Sequence, residues 1–119
     1  MVSKIGIACV ALVALASVGC GGSSLSVDTV AQPQAEIRAA EEAGAGQVPQ
    51  AALHLKMAKD QLQQGDSLAR KGDDDRASRA YARSKADAEL SVLLARHAAI
   101  RAKAQQAVDK ANALSKGGE

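Results

Sequence analysis

From Asp74 to Ser115 the chain runs without a proline or a glycine, and alanine is the commonest residue in the run. Proline breaks a helix interior and glycine weakens it, whereas alanine has the best helix propensity. The stretch therefore predicts one continuous helix of about 40 residues, ~60 Å long at 1.5 Å per residue. A chain of 119 residues with a helix of that length has little left with which to cover it. Composition narrows the choice further. There is no Trp or Phe, and Tyr81 is the single aromatic residue. The chain is 47% hydrophobic, but much of that is alanine. Buried apolar area contributes ~25 cal/mol per Å², so alanine gains little per residue and cannot fill a wide core. Thin interfaces between close helices can be built from it. The expected fold is all-α: an antiparallel alanine-rich helical hairpin, or a three-helix coiled-coil-like bundle, with one long C-terminal helix over about 74–115.

That long helix carries two seams. Ala77, Tyr81, Ser84, Ala88, Ser91, Ala95 and Ala102 form one, made almost wholly of small residues. Ala86, Leu90, Leu93, His97, Ile100, Ala104, Ala107, Ala111 and Leu114 form another, in unbroken four-three spacing. Successive residues advance about 100° around the axis, so the seams fall on roughly opposite faces. Two seams call for partners on two sides.

The preceding residues supply candidates. A helix is expected over Val27–Ala43, capped by Ser26 or Asp28, with its strong part starting near Pro33 because proline suits a first turn. Gly44-Ala45-Gly46 ends it. A second helix starts at Pro49 and runs to about Lys71. Its stripe is Leu55, Ala58, Leu62, Gly65 and Ala69, and its wet face is Lys56, Lys59, Gln63 and Arg70. Leu53, Met57 and Leu68 make an adjoining strip, so cover on two sides is expected. Gly72 stops this helix, and the carboxylates Asp73, Asp74 and Asp75 suit the positive start of the next. They lack the spaced order of a calcium loop. The second helix, ~35 Å long, reaches only the first half of the third. From about Ile100 onward the second seam then has no partner within the chain. The seam of Leu90, Leu93, His97, Ile100, Ala104 and Leu114 is therefore the candidate interaction surface, for a second copy of the chain or another protein.

Little else suggests chemistry. Fifteen basic and thirteen acidic residues are interspersed, for a net charge of +2, and no basic block supports nucleic-acid binding. His54 and His97 stand on different helices without further metal ligands. Tyr81 lacks a partner base, and no phosphate loop is present. Thin helices do not readily form the concave pocket of an enzyme. The expectation is a non-enzymatic protein with no cofactor and no metal.

The N-terminus carries a location signal. Lys4 precedes an apolar stretch, Ile5 to Val18, that at ~21 Å is short of the ~30 Å hydrocarbon core of a bilayer. A charged start, a short apolar core and small residues at the end match a secretory signal. Ala16-Ser17-Val18-Gly19-Cys20 resembles a lipobox, with Ser17 where leucine is most usual. Cys9 would leave with the signal, so Cys20 has no partner for a disulfide. The resemblance implies lipidation at Cys20, cleavage before it, and several acyl chains anchoring the chain to a membrane. Gly21, rather than Asp, after the cysteine implies the outer membrane, facing the periplasm. The segmentation is signal peptide 1–19, lipidated cysteine and flexible linker 20–30 (its Gly/Ser part Gly21 to Ser26), and helical domain 31–119.

The stretch from Ala35 to about Ala107 resembles the bacterial lipoproteins of domain of unknown function family 4398. The matching pieces are Ala43-Gly44-Ala45, the proline-initiated helix with Leu53, Ala58 and Leu62, the turn Gly72-Asp73 followed by Ala77, and the run Lys85-Ala86-Asp87-Ala88-Glu89-Leu90. Asp74 stands where the family usually has tyrosine. The resemblance implies an alanine-rich helical lipoprotein of the cell envelope and supplies no mechanism. A scaffold or partner-binding role is the leading expectation. The alternatives are an envelope spacer or peptidoglycan-associated lipoprotein, and a small-ligand binder. The Lys116-Gly117-Gly118-Glu119 end lacks the terminal lysine through which the major murein lipoprotein attaches.

Overall fold

A computed structural model describes residues 24–117. Helix α1 spans Val27–Glu42 and a 3-10 turn follows at Ala45–Gln47. Helix α2 spans Pro49–Arg70, and helix α3 spans Asp74–Lys116. No strand occurs among the described residues. The fold is the all-α architecture the sequence predicts, in its three-helix form.

Local chemistry sets each boundary. Gly72 takes the left-handed conformation, φ 75°, after Lys71 closes α2. The Asp73 amide bonds the Leu68 carbonyl at 3.0 Å and the Gly72 amide bonds that of Ala69 at 2.9 Å. These two bonds satisfy carbonyls that the end of a helix would otherwise leave open. Asp73 then caps α3, its side chain accepting from the Arg76 amide at 3.3 Å. Pro49 stands in the first turn of α2, as expected. Gly44, φ 78°, plays at the end of α1 the part that Gly72 plays for α2.

Helices α2 and α3 form an antiparallel hairpin on the small-residue seam. Ser84 Oγ donates to the Ala58 carbonyl at 2.7 Å, and Ser91 Oγ donates to that of Ala51 at 2.8 Å. A serine reaches a neighbouring backbone only where two helices lie very close. Ala51, Ala58, Ala77, Ala80 and Ala88 are accordingly fully buried. Tyr81 is the one aromatic side chain in this thin interface, and Gly65 makes room for it. A Cβ built on Gly65 would lie 2.6 Å from the tyrosine ring.

Helix α1 lies beside α3 and parallel to it. Lys85 Nζ reaches Gln32 Oε1 at 3.1 Å, while Glu36 and Ala39 share a cleft with Val92 and Arg96 further along. Ile37 and Ala40 join the core with Leu55, Val92 and Ala95.

Several expectations need correction. Helix α1 starts at Val27 as expected, but its strong part does not wait for Pro33: it runs unbroken through that residue, which is buried inside it. Ser26 caps it, its side chain accepting from the Thr29 amide at 3.2 Å. Pro33 lines a cleft with Tyr81, so tertiary packing holds the turn that proline would otherwise fray. The linker boundary at residue 30 likewise falls inside a helix; among the described residues only 24–26 precede it. Leu53 and Met57 are 57% and 39% exposed, so α2 is not covered on two sides. Its wet face and its Leu55–Ala69 stripe are as expected. Helix α1 does not cover the second seam of α3 either. It reaches only the edge, where Leu93 lines a cleft beside it yet stays 63% exposed.

Candidate interaction surface

Residues that hold the hairpin together come first, because they fix where the free surface begins. Asp87 on α3 accepts at both oxygens from α2: its Oδ1 pairs with His54 Nδ1 at 2.8 Å and its Oδ2 with Gln61 Nε2 at 2.9 Å. His54 and Gln61 are seven residues apart, two turns along one flank of the α2 stripe. Gln61 Oε1 is buried without a hydrogen-bond partner. The carboxylate dictates this orientation, since reversing the amide would set oxygen against oxygen. The histidine ring, isolated in the sequence, thus belongs to an interhelical clasp. Tyr81 OH donates to Asp66 Oδ1 at 2.8 Å. Burial, reinforced by that bond to a carboxylate, pushes the phenol from 10.0 up to about 12. Tyr81 stays protonated, as a structural donor should. Ser84 and Ser91 spend their hydroxyls on backbone carbonyls. These polar side chains are all engaged in holding α2 on α3.

The predicted seam lies on the other side of α3. Leu90 is 40% exposed, Ile100 64% and Leu114 71%. His97 and Ala104 are exposed as well. Cover ends with Ala95 and, partly, Ala98; every described residue from Ala99 onward is exposed. The seam is therefore assembled on one helix, and its outer half, about 97–114, projects past the bundle as an overhang ~25 Å long. The sequence anticipates both the seam and the missing cover.

Charge on this overhang escapes a linear reading. Over 96–117 there are five basic residues, Arg96, Arg101, Lys103, Lys110 and Lys116, against Asp109, a net of +4. Over 24–95 nine basic residues face eleven acidic ones, a net of −2. No basic run marks the overhang, because its charges are spread out. Helical geometry gathers them: Arg96, Lys103 and Lys110 recur every seven residues along one flank of the seam, and Arg101 stands on the other.

Two open clefts accompany these features. One, about 340 Å³, lies between the start of α1 and α3 and is lined by Thr29, Gln32, Ser78, Tyr81 and Lys85 among others. The second, about 320 Å³, is lined by Glu36, Ala39, Glu89, Val92, Leu93 and Arg96. Among the described residues, no group of three or more His, Cys, Asp or Glu is placed to hold a metal ion. No described helix is long and apolar enough to cross a membrane. Cys20, the predicted lipidation site, lies outside the described residues.

Comparison of the chain with protein-family models, curated proteins and solved structures finds no match.

Proposed function

We propose that the chain is a bacterial lipoprotein, anchored in the outer membrane by lipid at Cys20, that serves as a non-enzymatic helical scaffold in the periplasm. Its binding surface is the exposed seam of α3. The observation that carries the proposal is the overhang. A seam in heptad register continues from Leu90 to Leu114, and the second half of its helix has no partner within the described residues. Helices that bury nothing gain little from propensity alone. A partner would supply the burial that α2 supplies to the first half. The lipobox-like segment before Cys20 supports the anchor, and the likeness to family 4398 supports the envelope.

Two measurements test the proposal. Radiolabelled palmitate should enter the protein and should not enter a Cys20→Ser variant, which should leave the membrane fraction. A Cys20→Ser protein that still sediments with membranes removes the anchor. Photo-crosslinkers at Ile100 and Ala104 should trap a defined protein adduct in intact cells, while one at Lys56, on the wet face of α2, should not. Equal trapping from both faces removes the binding surface.

A further inference from the structure

One flank of the α3 seam is already occupied over its first half. Helix α1 lies there, and its charge is −3, from Asp28, Glu36, Glu41 and Glu42 against Arg38. Charged side chains of α3 meet it: Lys85 bonds Gln32, and Arg96, together with Glu89, lines the same cleft as Glu36. Helix α1 ends at Glu42. The basic flank does not end with it. Lys103 and Lys110 carry it on, seven and fourteen residues beyond Arg96. Between that flank and Arg101 runs the apolar line of Ile100, Ala104, Ala107, Ala111 and Leu114, all exposed.

Building on the partner-binding role, we infer that the occupant of this surface is an acidic amphipathic α-helix of another protein, lying along the seam of residues 97–114, beside the line that α1 follows on the first half of the helix. Charge complementarity comes from four basic residues, Arg96, Arg101, Lys103 and Lys110, that border the seam on both sides. Shape complementarity comes from the alanines, which admit a second helix at the short end of the usual 8–10 Å interaxial range. The first half of α3 already packs in this way, through Ala77, Ala88 and Ala95. A second copy of the chain fits less well. Parallel overhangs would set Arg96 beside Arg101, and antiparallel ones would set Lys103 against its own copy and Arg96 against Lys110. A lipid surface also fits less well, because the overhang offers only Ile100, Val108 and Leu114 as large apolar side chains.

The test uses the full chain in micelles of an uncharged detergent. Three fluorescent three-heptad peptides share a leucine seam and carry Glu, Gln or Lys at the flanking positions. Anisotropy titration should show the Glu peptide binding about tenfold more tightly than the Gln peptide, the sum of four flanking pairs of ordinary helical strength. The Lys peptide should bind more weakly still, and the differences should shrink in high salt. An Arg101→Glu/Lys103→Glu/Lys110→Glu variant, with helix content checked by circular dichroism, should reverse the order. Equal binding of all three peptides overturns the acidic partner but leaves a helix-binding surface standing. Failure of all three to bind overturns both. Displacement of the Glu peptide by phosphatidylglycerol mixed into the micelles assigns the surface to lipid and overturns the inference. Self-association that the Glu peptide does not disrupt assigns it to a second copy, with the same consequence.

Discussion

Replacing Gly65 by alanine separates packing from propensity in this bundle. Gly65 lies in the interior of α2, where alanine ordinarily gains about 1 kcal/mol. Here the new Cβ would lie 2.6 Å and 2.7 Å from two ring carbons of Tyr81. Carbon atoms pack favourably only at about 3.5–4.0 Å, so the ring must move by about 1 Å. Tyr81 is 2% exposed and cannot swing into solvent without opening the seam. Overpacking of this kind costs about 1–3 kcal/mol. A shifted ring also lengthens the 2.8 Å bond to Asp66, a bond to a charged group worth about 1.5–3 kcal/mol. Subtracting the propensity gain leaves a net destabilisation of about 2 kcal/mol, near the low end because Asp66 is only half-buried and water can replace part of the bond. For a domain of this size that is a fall in Tm of about 10 °C, measurable by far-ultraviolet circular dichroism. The double variant Gly65→Ala/Tyr81→Leu should recover part of the loss, with a coupling of at least about 1 kcal/mol between the sites. A Gly65→Ala protein with an unchanged or higher Tm would refute the close approach of Tyr81 to α2.

Tyr81 should also give the bundle an alkaline limit. Its folded pKa, about 12, lies above its unfolded value of 10.0, so its contribution is complete below pH 10 and is lost as pH rises from 10 to 12. Denaturant titrations across that window should show stability falling by up to about 2 kcal/mol, and Tyr81→Phe should flatten that part of the profile. At Ser84 and Ser91, alanine should cost about 1 kcal/mol each through the lost hydroxyl bonds, whereas leucine should force the helices apart and cost about 3 kcal/mol. Equal Tm values for the alanine and leucine variants would contradict the close helix approach. Ending the chain after Ile100 removes no buried residue among those described and should change Tm by less than about 4 °C. By hydrogen exchange, amides from Ala77 to Ala95 should be protected and those from Ala102 onward should exchange quickly.

Helix boundaries were the most legible part of the fold, because they rest on local chemistry. Gly72 and Asp73 end one helix and begin the next through bonds within a few residues of themselves. Pro33 was less legible for the opposite reason. It is buried inside α1 where that helix meets α3, so its tolerance rests on packing between residues distant in sequence. Periodicity likewise identified two seams on α3, but period alone reports which residues share a face and not which face is covered. Leu53 and Met57 satisfy a helical spacing as well as Leu55 does, yet they are open to solvent. The Asp87 clasp lies in the run from Lys85 to Leu90. The structure gives that run physical content: Ala88 is buried, Asp87 grips His54 and Gln61, and Glu89 lies 3.7 Å from Lys85. The spacing of His54 and Gln61 was a signal, but only the pairing of the helices shows what it meets.

The same distinction bears on the overhang. In sequence, Arg96, Lys103 and Lys110 stand seven residues apart and are balanced by acids elsewhere, so the net charge of the whole chain conceals them. Wound onto a helix they form one flank. Four of the acids that balance them are committed to the bundle: Asp66 and Asp87 to interhelical bonds, Glu41 to Lys59, and Asp73 to the α3 cap. The charge is thus divided along the chain, with a body of −2 over 24–95 and an overhang of +4 over 96–117. Surface ion pairs are individually weak, so this separation adds little to stability. Its stronger effect is on association, where a field of one sign speeds encounter with oppositely charged surfaces and discourages pairing with its own kind. An apolar seam of alanines is a weak and unselective surface alone. Bordered by four cations it becomes selective, and the selection is against a second copy of the chain and in favour of an acidic helix.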